Sequence, residues 1–300
     1  MFSTLFGSKS NTKLSTTTTV ELSPENKAGW QQVRVNVYNG SIQLRQWDNQ
    51  YLQATIHVTV KGQLAEEITE DQTDRFWNLE GEGQTVVFEQ VKLKQLLTSS
   101  SVQVSVELFV PQHLNAELHT HNGPVAVIDC LGELEATTHN GEIVVKNHTG
   151  DTKLHTHNGK VYVERVQGEL IVSSHNGGLH LSGIDGRIKG ETHNGGIRLA
   201  NCHNDLDLVT HNGKITLANQ EVLAGDWNMV THKGSIELTM PKDIDAHLKL
   251  KTSLGKINGG DLLPFTSTGA SQQMQATLGQ GKRSIRLKTS LGSIHLKASV

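Results

Sequence analysis

From Leu134 to Lys146 apolar and polar side chains alternate, with one break at a glycine. Leu134, Ala136 and Thr138 alternate with Glu135, Thr137 and His139; beyond Gly141, Ile143 and Val145 alternate with Glu142, Val144 and Lys146. A period of two predicts a strand with one buried face. The unit reads as strand, Asn-Gly corner, strand and second turn, and the second turns carry Gly132, Gly150, Gly168 and Gly186.

The unit repeats. His-Asn-Gly occurs at 121, 139, 157, 175, 193 and 211, every 18 residues, and a worn copy, His232-Lys233-Gly234, follows 21 residues later. A constant period without insertions predicts a stack of coils in which each touches mainly its neighbours. Leu118, Leu154, Leu170, Ile188 and Leu206 are expected to fill one inward column; Val125, Ile143, Val161, Leu179, Ile197 and Ile215 fill another. The expected fold is all-β: a parallel β-helix or solenoid of 18-residue rungs with irregular capping segments. Asn-Gly also marks tight antiparallel hairpins, so a hairpin meander stays open as the alternative.

Parity assigns the corner residues. Thr120, Thr138, Thr156, Ser174, Thr192 and Thr210 are expected to face inward. Asn122, Asn140, Asn158, Asn176, Asn194 and Asn212 have the same parity, so an inward ladder of hydrogen-bonded amides is expected. The glycine after each is expected to answer a need for positive φ. Histidine has the opposite parity. His121, His139, His157, His175, His193 and His211 therefore form an outward column, joined by His232, with His119 and His155 outward two residues before His121 and His157.

Outside the beat, residues 1–30 read as a flexible lead-in with a polar Ser/Thr tract over 10–19. Phe2, Leu5 and Phe6, with Lys9 and Lys13 behind them, form at most a weak membrane contact. Residues 31–115 read as an N-terminal cap and early rungs, with Glu66 to Trp77 as a short helix or excursion. Residues 116–218 form the regular solenoid. Residues 219–300 form longer rungs and a cap that retain Thr-x-x-Gly-x-Ile, with a polar loop over 259–281 before the last coil.

Composition narrows the function. A net charge of −3 gives no footprint for nucleic acid, and 4% aromatic residues leave few stacking platforms. Cys130 and Cys202 stand four periods apart, about 19 Å along a strand stack, too far for a disulfide. The start lacks a hydrophobic segment of signal-peptide length and no apolar run is long enough for a membrane helix, so a cytoplasmic location is expected.

Asn39-Gly40-Ser41-Ile42-Gln43-Leu44 with Trp47-Asp48, Val110-Pro111 before the first Thr-His-Asn-Gly, and Met240-Pro241 after Ile236-Glu237-Leu238 carry a resemblance. Together with the closing Thr-x-x-Gly-x-Ile, they resemble the bacterial "putative adhesin" β-strand repeat family, a domain of unknown function, over about residues 30–298. The resemblance implies an all-β repeat fold with no assigned reaction.

No Gly-x-Ser-x-Gly elbow, phosphate loop or Cys-x-x-Cys occurs, and outward carboxylates are scattered. The expectation is therefore a non-enzymatic scaffold or binding module facing a protein or cell-envelope partner, with self-association through the solenoid ends as a further use. The rival is a metal- or proton-responsive surface. In it His119, His121, His139, His155, His157, His175, His193 and His211 hold a transition metal such as Zn²⁺, Cu²⁺ or Ni²⁺. A polysaccharide-active β-helix is the third reading.

Overall fold

The computed structural model describes residues 12–24, 29–64, 69–91, 97–202, 204–219, 224–263 and 265–299. Phe2, Leu5, Phe6 and Lys9 lie outside them. The fold is all-β and solenoid-like: among the described residues, 25 strands join one continuous sheet, and one short 3-10 helix spans Glu70–Phe76.

Two parallel stacks make the body. The strands before each corner, such as Leu134–Thr138 and Thr152–Thr156, form one; those after it, such as Ile143–Thr149 and Val161–Gln167, form the other. Leu134 lies beside Ala116 and Thr152, and Ile143 lies beside Val125 and Val161, each partner 18 positions away. Burial explains this register, because a one-residue slip would turn every apolar side chain to solvent. Val125, Ile143, Val161, Leu179, Ile197 and Ile215 are all fully buried.

The inward column expected from Leu118 to Leu206 is in fact two. Leu118 and Leu154 are level with Ala136, Val172, Gly190 and Leu208, whereas Leu170, Ile188 and Leu206 are level with Ala116, Leu134 and Thr152. Both face the core, so alternation alone did not separate them.

A further bend breaks the second strand of each coil. Asp129, Asn147, Arg165, Gly183 and Asn201 all have φ between 53° and 65°. Short polar side chains tolerate this left-handed conformation, and Arg165 is the exception. Beyond the bend, Cys130, His148, Val166, Ile184 and Cys202 turn back into the core.

At both ends, order in the chain and order in space part company. Gln32–Asn39 lies between Thr85–Gln90 and Asn115–Asn122, so the first coil is not the outermost. Arg283–Thr289 is inserted between Trp227–Thr231 and Ala246–Asn258. Two expectations fail here. The lead-in expected to be flexible contains an 11-residue strand, Thr12–Leu22, antiparallel to Leu52–Leu64. The expected loop over 259–281 contains the 13-residue strand Thr266–Leu278, antiparallel to Ala246–Asn258. Both are edge strands with a half-buried face at most, so their polarity hid the alternation.

Candidate functional site

Each corner has a buried half and an exposed half. Thr156 is fully buried, and its hydroxyl donates to the carbonyl of Gly141 in the preceding coil at 2.9 Å. Thr120, Thr138, Ser174, Thr192, Thr210, Thr231, Thr252 and Thr289 make the same bond to the corner glycine of the neighbouring coil, at 2.7–3.1 Å. This satisfies a hydroxyl and a backbone acceptor that would otherwise be buried unpaired.

The corner glycines answer to space. Gly141, Gly159, Gly177, Gly195 and Gly213 do not have the expected positive φ. A Cβ on Gly159 would instead stand 1.6 Å from the carbonyl oxygen of Gly141, and the other four meet the preceding glycine's oxygen at 1.5–1.9 Å.

The inward placement of the asparagines is also overturned. Asn140, Asn158, Asn176, Asn194 and Asn212 are exposed and Asn122 is half-buried. The strand ends at the threonine, so the alternation stops before the asparagine and the bend turns both histidine and asparagine outward. Six amide bonds link the seven asparagines from Asn39 to Asn212. Each Nδ2 of one coil donates to the Oδ1 of the coil before it at 2.7 Å.

Beside this ladder, the imidazoles of His121, His139, His157, His175, His193, His211 and His232 stack face to face. Neighbouring ring centroids are 4.7–4.9 Å apart and the planes lie within 25° of parallel. Tyr38 stacks on His121 at 4.8 Å and extends the column to eight rings. The sequence reading missed Tyr38, although Tyr38-Asn39-Gly40 is the same triplet with an aromatic ring in place of imidazole. The column stops at His232 because the next coil in space offers Ser290.

His119 and His155 stand apart from the stack, separated by Thr137, and a shallow groove lies between them and the rings. His119 Nε2 is 3.0 Å from Glu117 Oε1, and Glu117 also accepts from Arg34. These two partners hold the Glu117 carboxyl below its ordinary range, His119 contributing more. His155 Nδ1 is 2.8 Å from Ser173 Oγ.

Within the column, His139 titrates below the ordinary imidazole value, through local desolvation and then the neighbouring His157 and His121. His211 is lowered in the same way, with His193, His232 and Lys233 adding repulsion. Metal binding meets a geometric limit. Two Zn–N bonds of about 2.1 Å span at most about 4.2 Å, less than the ring spacing, and parallel rings aim their in-plane lone pairs side by side. One ion shared by neighbours requires the rings to tilt. Among the described residues, no three His, Cys, Asp or Glu side chains are grouped to hold a metal.

The thiols are remote from this chemistry. Cys130 and Cys202 are free and buried, and burial pushes the Cys130 thiol up to about 12. His148, beside Cys130, is 3% exposed and neither ring nitrogen has a hydrogen-bond partner. Burial lowers its pKa, and the backbone groups of Gly132 and Cys130 act the other way without reversing it. Among the described residues no helix is long and apolar enough to cross a membrane.

No curated protein matches the chain. Among solved structures it matches one described as a putative adhesin from Bacteroides fragilis NCTC 9343. The identity is 11% and the TM-score 0.43, over 94% of this chain and 97% of that one. A second, described as a putative lipid binding protein from Parabacteroides distasonis ATCC 8503, matches at 11% identity and TM-score 0.43, over 93% and 96% of the two chains. A third, described as a putative cell adhesion protein from Clostridium sporogenes ATCC 15579, matches at 12% identity and TM-score 0.26, over 95% and 100%. The family described as Toastrack DUF4097 matches residues 17–297, nearly the whole length, and the chain belongs to that family.

Proposed function

We propose that this chain is a non-enzymatic binding module built from 18-residue coils, which presents its His-Asn corner to a protein or cell-envelope partner. The observation that carries the reading is the unbroken outward column from Tyr38 to His232 beside the ladder from Asn39 to Asn212. Stacking and the amide bonds fix these side chains in advance, so a partner orders few of them on binding. The corner is also anchored from inside by the threonine–glycine bonds. An envelope partner accords with the adhesin resemblance of the sequence.

The test is co-sedimentation with isolated bacterial envelopes. Wild type is expected in the pellet. A variant carrying His139→Ser, His157→Ser and His175→Ser, the residue found at Ser253 and Ser290 at the end of the column, is expected to stay in solution with its fold intact. Equal pelleting of the two, or no pelleting of wild type, contradicts the reading.

A proton- or metal-responsive surface is the second reading, favoured by the local desolvation and, after it, the mutual repulsion that lower His139 and His211. Calorimetric titration with Zn²⁺ and Cu²⁺ separates the two. Heats that vanish in the triple serine variant support the second reading, and equal heats in both proteins remove the column from it.

A further inference from the structure

The two ends of the solenoid are finished differently. At the N-terminal end the 3-10 helix Glu70–Phe76 covers the core, with Phe76 1% and Trp30 6% exposed. Thr16 of the edge strand donates to Thr73 of that helix at 2.8 Å. Both edge strands there carry charge: Glu21 on Thr12–Leu22, Glu80 and Glu82 on Trp77–Glu82. Charged and short edge strands are how soluble sheets discourage edge-to-edge pairing.

Among the described residues, the C-terminal end lacks these devices. Its edge strand, Thr266–Leu278, is 13 residues long and contains no Lys, Arg, Asp, Glu or Pro. It pairs with Ala246–Asn258 on one side, and among the described residues no strand pairs with its other side. Met274, Ala276 and Leu278 sit opposite Leu250, Leu248 and Ala246, which are fully buried, yet they themselves are only half-buried. The three most exposed large apolar side chains among the described residues, Leu254, Leu291 and Phe265, all belong to this end. Leu254 and Leu291 stand at corner positions where the body of the stack has asparagine.

We propose that this edge is a homodimer interface in which Gln272–Leu278 pairs antiparallel with the same segment of a second copy, about a two-fold axis at Gln275. Ser271, at φ 57°, leaves the extended region and ends the usable segment. The pairing sets Met274 against Ala276 of the second copy on the half-buried face, and Gln273 against Thr277 on the exposed face. An uncharged strand is its own complement, because no like charges meet across a two-fold axis. The pairing extends the antiparallel end of the sheet by the same hydrogen-bond pattern and covers the half-buried row. The charged, helix-capped N-terminal end makes the assembly stop at two.

Sedimentation velocity on the full chain across a concentration series tests this. Wild type is expected at twice the 32.8 kDa chain mass. Gln275→Lys, which opposes two charges at the axis, is expected to sediment as a monomer that keeps a cooperative unfolding transition, with a midpoint that no longer rises with protein concentration. Thr17→Lys, on the N-terminal edge strand, is expected to remain dimeric. A single cysteine at 275, made by Gln275→Cys, is expected to cross-link on oxidation, while Thr17→Cys is not; the native cysteines are buried. A monomeric wild type, a dimer that survives Gln275→Lys, or absence of the cross-link at 275 overturns the proposal, and the cross-link decides if the lysine variant misfolds.

Discussion

Between Ala116 and Thr210 the next coil along the chain is also the next coil in space; at the two ends it is not. In the body, Leu134–Thr138 has Asn115–Asn122 on one side and Thr152–Thr156 on the other, its nearest units in sequence. At the C-terminal end, Arg283–Thr289 is held between Trp227–Thr231 and Ala246–Asn258, so the chain runs out, turns and returns into a prepared gap. The body can grow coil by coil through local contacts. The ends close only after distant segments meet, which carries a larger loop-closure cost. A unit removed from the body leaves its neighbours matched, whereas a unit removed from an end leaves a gap with no local replacement.

The corner sharpens this comparison, since within the body every coil repeats the same buried and exposed halves. The largest expected effect is at the buried half. Gly159→Val forces a Cβ against the Gly141 carbonyl, and a loss above about 4 kcal/mol in a denaturant melt is expected. Thr156→Val comes next. It keeps the shape but removes the donor to Gly141, and a loss of about 1–3 kcal/mol is expected. Equal stability would mean that the hydroxyl bonds do not tie the coils together.

His148→Val acts in the opposite direction. It replaces a buried ring without partners by the residue type found one coil on, at Val166. A gain of about 1–3 kcal/mol is expected, together with weaker acid sensitivity. The folded protein holds His148, His139 and His211 below their ordinary pKa, so the unfolded chain binds protons more readily. Stability is then complete above about pH 6.5 and falls as pH drops through the lowered folded values. If the stability–pH curves of wild type and His148→Val coincide, the buried ring is not a source of the acid sensitivity. Asn158→Ala is expected to cost least, about 0.5–1 kcal/mol, because its bonds to Asn140 and Asn176 are made in solvent.

Much of this contrast was legible in the residues, and the misses share a cause. Alternation marked Val125 to Ile215 as inward and the histidines as outward, because a strand obeys parity as long as it stays a strand. Parity failed at Asn140 and its equivalents, where the strand had already ended. It also failed at Asn147, whose left-handed φ resets the count and sends His148 into the core. The reason for the corner glycine was unreadable from one coil, since the clash is with the coil below. The edge strands Thr12–Leu22 and Thr266–Leu278 bury too little to leave an apolar signature. No local pattern could announce that the last coil is inserted rather than appended. Tyr38 was readable as the first ring of the column, had its triplet been aligned with the others.

Deleting residues 142–159 tests the contrast most directly. The body account predicts a folded protein whose denaturant transition stays cooperative, with Lys160 joined to Gly141 and His139 stacked on His175. Removing 283–298, a coil of similar size from the C-terminal end, is predicted to expose the core between its two neighbours and to abolish the cooperative transition. If the 142–159 deletion unfolds the protein as completely as the terminal one, the coils of the body are not interchangeable nearest-neighbour units and the account is contradicted.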